Sequence, residues 1–110
     1  MSIKFYTDDA RALLAAIKGA IARREIETWT EDPDGDFTPT SDDWAGTAWL
    51  RPAVRERHLL LSIIAPVEQG VSSDVYAYFH GGFIESMLSS FDSLFFSAVA
   101  SAMPDDEDSM

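Results

Sequence analysis

His58-Leu59-Leu60-Leu61-Ser62-Ile63-Ile64 is a run in which both alternating sets of side chains are largely apolar. Successive side chains of a strand point to opposite faces of its sheet. A sheet with one solvated face should therefore alternate cleanly between apolar and polar residues. Here Leu59, Leu61 and Ile63 fall on one side and Leu60, Ser62 and Ile64 on the other, so this strand asks for cover on both.

Neighbouring segments supply the rest of a sheet. Thr47 to Ala53 reads as a strand joined to His58–Ala65 by a hairpin near Val54-Arg55-Glu56-Arg57. Pro52 lacks an N–H, which puts that end of its strand at an edge or a bulge. Glu25 to Thr30 is rich in β-formers. Asp32-Pro33-Asp34-Gly35-Asp36 is a turn, with Phe37-Thr38 returning briefly as strand before Pro39. Ser41-Asp42-Asp43 is expected to cap a single helical turn that carries Trp44 and ends at Gly46. The expected faces are Ile26, Thr28, Ala48, Leu50, Leu59, Leu61 and Ile63 on one side. Glu27, Trp29, Trp49, Arg51, Leu60, Ser62 and Ile64 form the other.

Two helices flank these strands. Ala10, Leu13, Leu14, Ile17 and Ile21 form the apolar stripe of a helix over residues 8–23. Thr7 is its expected N-cap; Asp8-Asp9 and Arg23-Arg24 suit the two ends of its dipole. A longer helix is expected over residues 73–102, capped by Ser73, with the stripe Ile84, Met87, Leu88, Phe91, Leu94, Phe95 and Ala98. Gly81-Gly82 predicts a kink, a break or a close contact within it. The expected fold class is α+β: a helix, a three- or four-stranded antiparallel meander and a long C-terminal helix, in two layers. One domain spans residues 1–103, and an acidic disordered tail follows over 104–110.

Cover for the second face of the sheet has two possible sources. The helices could sandwich the sheet, or both could lie on one side and leave the other face to another chain. The second is preferred, because small domains often stabilise themselves by association and Trp is enriched among interface anchors. Plain core positions for Trp29 and Trp49 remain the competing reading.

Composition narrows the function. The chain has 110 residues, 8 basic and 19 acidic, for a formal charge of −11. That balance argues against direct binding to nucleic acid or to an anionic membrane, both of which run on Lys and Arg. Apolar residues make up 46 %, too many for a disordered chain. There is no cysteine, which excludes disulfides, thiolate metal sites and cysteine nucleophiles. Met1-Ser2-Ile3-Lys4 does not open a signal peptide. The apolar stretch Leu94–Met103 is about half the roughly 20 residues a membrane span needs. A cytoplasmic location is expected. The charge is uneven: residues 31–46 hold six acids and no base, while residues 1–30 and 47–70 are each +1.

Candidate chemistry is thin. With Gly35 at the sixth position, the acidic loop matches a calcium loop only in part, since Thr30 and Ser41 fall where the first ligand and the bidentate Glu belong. An ordinary turn is the better reading, and neither metal nor cofactor is expected. Asp8-Asp9 and Asp42-Asp43 are adjacent pairs that do not converge as a catalytic dyad would. His80, beside Gly81-Gly82, could act as a general base, yet there is no G-x-S-x-G, no phosphate loop and no His-x3-His. A hydrogen-bonded structural His80 and a solvated His58 are expected.

Ile3-Lys4-Phe5-Tyr6-Thr7-Asp8-Asp9, Asp34-Gly35-Asp36-Phe37-Thr38, Ala48-Trp49-Leu50-Arg51-Pro52 and His80-Gly81-x-Phe83-Ile84-Glu85 resemble segments of small bacterial proteins of about this length. The resemblance covers most of the chain. It implies a bacterial, single-domain, cytoplasmic protein and brings no site residue with it.

The first functional expectation is a small acidic, non-enzymatic protein-interaction module. It would self-associate as a homodimer, or bind another protein, through a sheet face carrying Trp29, Trp49, Arg51, Leu60 and Ile64, with Asp32, Asp34 and Asp36 beside it. The alternative is a polyanion mimic, an inhibitor or immunity protein that fits a basic partner. A small enzyme using His80 is the third, and no constellation supports it.

Overall fold

The computed structural model describes residues 2–65 and 73–101. The elements run β1 (Ser2–Tyr6), α1 (Ala10–Ala22), β2 (Trp29–Glu31), β3 (Phe37–Pro39), β4 (Trp49–Val54), β5 (His58–Ile64), α2 (Ser73–Phe91) and β6 (Ser97–Ala100). All six strands join one antiparallel sheet in the order β2-β3-β4-β5-β1-β6. The fold is α+β, as expected, but the sheet is wider: β1 and β6 extend the β2–β5 meander beyond β5. The expected tail over 104–110 lies outside the described residues.

The long C-terminal helix is the main correction. It ends at Phe91, and the chain turns where Leu94 N–H donates to Phe91 O at 2.8 Å. Thr7 Oγ1 then donates to Leu94 O at 2.7 Å, and Phe96 N–H to Tyr6 O at 2.7 Å. These bonds to the β1 end convert a helical apolar pattern into a strand. Phe95 packs edge-on against Phe5 at 5.2 Å, while Leu88 and Leu94, members of the expected stripe, are exposed. Tertiary pairing overrides local periodicity here.

β1 is the strand that sequence does not announce. Ile3 and Phe5 face the core, opposite Leu61 and Leu59. At the start of α1, Asp9 rather than Thr7 is the N-cap: its side chain accepts from Ala12 N–H at 3.0 Å. Arg24 ends that helix in the left-handed region (φ 60°), and the N–H groups of Glu25 and Ile26 both reach Ala20 O. That tie draws residues 25–28 out of the expected strand, so β2 begins only at Trp29. Pro52 does lie on a local edge, because β3 pairs with β4 only at Phe37↔Leu50.

Both helices cover the same face. Leu13 and Ile17 of α1 and Phe79, Phe83 and Met87 of α2 share one buried cluster with Ile3, Phe5, Phe37, Leu50, Leu59 and Leu61. All of those strand residues point to one side by register. Leu60 is fully buried yet outside that cluster, because it points the other way. α2 passes through Gly81-Gly82 without a break. Neither glycine marks a kink, a break or an unusually close approach: a Cβ at Gly82 would make an ordinary 3.9 Å contact with the Trp29 indole, and one at Gly81 would meet nothing within 4 Å. Capping by Ser73 involves a side chain outside the described ones. No described helix is long and apolar enough to cross a membrane.

Gly81→Ala is expected to stabilise the protein by about 1 kcal/mol, since it adds helix propensity at an exposed, open position. Urea unfolding followed by circular dichroism measures it; no rise in midpoint would contradict the uninterrupted helix.

Candidate interaction surface

The side of the sheet away from the helices collects most of the expected contact residues. Pairing of β4 with β5 sets Trp49 opposite Ile64, Arg51 opposite Ser62 and Ala53 opposite Leu60. Pairing of β1 with β5 adds Lys4 beside Leu60 and Tyr6 beside His58, whose rings lie 5.4 Å apart. Leu60 and Ser62 are buried, and Lys4, Tyr6, Trp49, Arg51 and Ile64 are half-buried around them. Among the described residues no helix packs on this side.

Trp29 does not belong to it. The pairs Trp29↔Pro39 and Phe37↔Leu50 place its indole on the helix-covered face. There it meets Phe79 at 5.7 Å and Phe83 at 5.0 Å, both edge-on, and is 4 % exposed. A strand whose first inward residue is Ile26 would send Trp29 outward; the later start of β2 reverses its face, because strand orientation has period two. Trp49 keeps the expected orientation.

The acidic loop is a built turn. Asp32 Oδ1 accepts from the N–H groups of Asp34 and Asp36, each at 2.9 Å. Gly35 takes φ +88°, which a side chain would resist. The carboxylates of Asp32, Asp34 and Asp36 come within 4.8 Å of one another. Arg51 meets Asp36 with two bonds, Nε to Oδ1 at 3.0 Å and Nη2 to Oδ2 at 2.8 Å. The Asp36 side chain is 4 % exposed. This bidentate bond, then the charges of Asp36, Asp34 and Asp32, hold the Arg51 proton more firmly than usual. Lys18 pairs with Glu31 at 3.1 Å. The turn is thus anchored by one base from β4 and another from α1, leaving Asp34 as its exposed acid.

His80 is buried on α2, with Nδ1 2.9 Å from Tyr76 O. A carbonyl accepts only, so Nδ1 carries the proton and the neutral ring presents its Nε2 lone pair. Neither Nε2 nor the Tyr76 hydroxyl has a hydrogen-bond partner among the described residues. The rings stack at 4.0 Å. Burial lowers the His80 pKa, and the bond to Tyr76 O only partly opposes it. A cleft of about 460 Å³ lies elsewhere, lined by Tyr6, Thr7, Asp8, Glu56, Arg57 and Phe96. Two contacts have no counterpart in the sequence reading: the Arg51–Asp36 pair, and Trp44, which stacks flat on Tyr78 of α2 at 4.4 Å and docks the loop before β4 onto the helix.

Comparison with protein-family models, with curated proteins and with solved structures finds no match.

Two predictions follow from these contacts. Arg51→Met should cost about 1–3 kcal/mol, because it strands a buried carboxylate, and Asp36→Asn with Arg51→Met should recover part of that loss; a double-mutant cycle in urea gives the coupling. His80 favours its neutral form when folded, so the unfolded chain takes up a proton first as pH falls through the ordinary value of 6.5. Its contribution is complete above that pH and is lost below it, at up to about 1.4 kcal/mol per pH unit. His80→Leu should remove this component from stability measured between pH 7.5 and 5.5.

Proposed function

We propose that the chain is a non-catalytic protein-interaction module that self-associates through the sheet face away from its helices. The observation that carries this reading is the one-sided packing of α1 and α2, which leaves Trp49, Arg51 and Ile64 half-buried on the opposite face around Leu60, itself fully buried in the single chain. Half-buried aromatic and aliphatic groups beside an arginine held in place by Asp36 are the composition of an interface centre. A cytoplasmic location goes with this reading, in keeping with a cysteine-free chain.

Binding to a basic partner as a polyanion mimic is the competing reading. The anchoring of Asp36 by Arg51 and of Glu31 by Lys18 counts against it, because a mimic needs free acids along a continuous face.

Light scattering over a concentration series tests the proposal. The protein should run above the mass of one chain, and Trp49→Lys with Ile64→Lys should weaken association at least tenfold with the circular dichroism spectrum unchanged. Association between copies charged −11 should strengthen with salt as their repulsion is screened, whereas capture of a basic partner would weaken. A strict monomer at all concentrations overturns the reading.

A further inference from the structure

β6 ends the sheet, and among the described residues it pairs only with β1. The phase of the ladder fixes which of its peptide groups face outward. Ser101 N–H donates to Ser2 O at 2.9 Å, and on the other flank of β1 Thr7 N–H donates to Arg57 O at 3.0 Å. Bonded and non-bonded pairs alternate along an antiparallel ladder. With Lys4 opposite Val99 and Tyr6 opposite Ser97, the peptide groups of Ser97 and Val99 face β1. Those of Ala98 and Ala100 face the free side.

Edge strands are ordinarily guarded by charge or proline. Residues 93–101 contain neither, and Phe96 and Val99 are 72 % and 52 % exposed. The opposite edge differs: β2 carries Glu31 and leads into the aspartate turn. Over residues 97–101 two copies can pair without setting acid against acid, with Asp92 and Asp105–Asp108 lying in sequence outside that stretch.

We propose that β6 pairs antiparallel with β6 of a second copy about a two-fold axis through Val99. Ala98 then lies opposite Ala100 of the copy, and the reverse, so the outward N–H and C=O groups of both residues are satisfied on both chains. Such an isologous contact is self-complementary and closes at two chains. The two sheets become one, and their helix-free faces become continuous. The proposal rests on the self-association reading only in its choice of partner; it adds an edge contact separate from the face.

Val99 at the axis is a non-hydrogen-bonded pair, with Cα atoms about 4.5 Å apart, within reach of a disulfide. The chain has no cysteine, so Val99→Cys is a clean probe. On mild oxidation it should form a covalent dimer at least tenfold faster than Leu88→Cys, placed on the exposed side of α2. Ala98→Pro removes an outward N–H and should abolish the edge contact, so the folded variant should have a lower mass than wild type by light scattering; Val99→Lys, a charge at the axis, should do the same if the proline variant fails to fold. Equal oxidation rates for the two cysteine variants, or a folded Ala98→Pro or Val99→Lys that keeps the wild-type mass, overturns the edge contact. Assembly lost in Trp49→Lys but kept in Ala98→Pro overturns the edge and leaves the face reading standing. The reverse overturns the face and leaves the edge standing.

Discussion

One aromatic ring holds the layers together. Phe83 of α2 touches Phe5 of β1 at 6.0 Å, Trp29 of β2 at 5.0 Å and Phe37 of β3 at 5.9 Å. β2 and β3 are neighbours, and β1 lies three places further along the sheet, so a single helix residue ties the β2–β3 pair to β1. Rings of this size bury large areas and add edge-on attraction beyond the area itself. Gly82, next in sequence to Phe83, also lies over the Trp29 indole, where a Cβ would make an ordinary contact at 3.9 Å. Among the described residues, the aromatic contacts of α2 with the sheet all lie on one face.

Electrostatics is arranged around that asymmetry. The chain is strongly acidic, yet the acids nearest the sheet are held by bases from separate elements, Arg51 from β4 and Lys18 from α1. The Asp36 carboxylate is nearly buried and tied at both oxygens, so it fixes the position of Arg51 rather than advertising negative charge. What remains on the helix-free side is a half-buried mixture of aromatic, aliphatic and cationic groups, unlike the outer surface of a nucleic-acid mimic.

Sequence made the centre of this fold readable and its margins not. The doubly apolar pattern of residues 58–64 correctly marks a strand, and Trp49, Arg51, Leu60 and Ile64 do share one face of its sheet. The turn at residues 32–36 is legible because its Asp and Gly residues have local backbone work to do. β6 is not legible, since Phe95 and Ala98 fit a helical stripe as well as a strand, and only β1, remote in sequence, decides between them. Trp29 lands on the unexpected face because its orientation depends on where the strand begins, which the tie from Ile26 to Ala20 sets. Arg51–Asp36 and Trp44–Tyr78 join residues of different elements with no pattern in spacing to reveal them.

The pairing of β1 with β6 also has a bearing on how the protein is made. Ser2 and Ser101 bond across 99 positions, and the N-terminal strand lies between β5 and the strand that arrives last. While the ribosome is still extending the chain, β1 has one neighbour at most. Contacts so distant along the chain are slow to form, because the intervening loop must close first. A nascent chain halted before residue 97 would present the open flank of β1 to chaperones and to other unfinished copies.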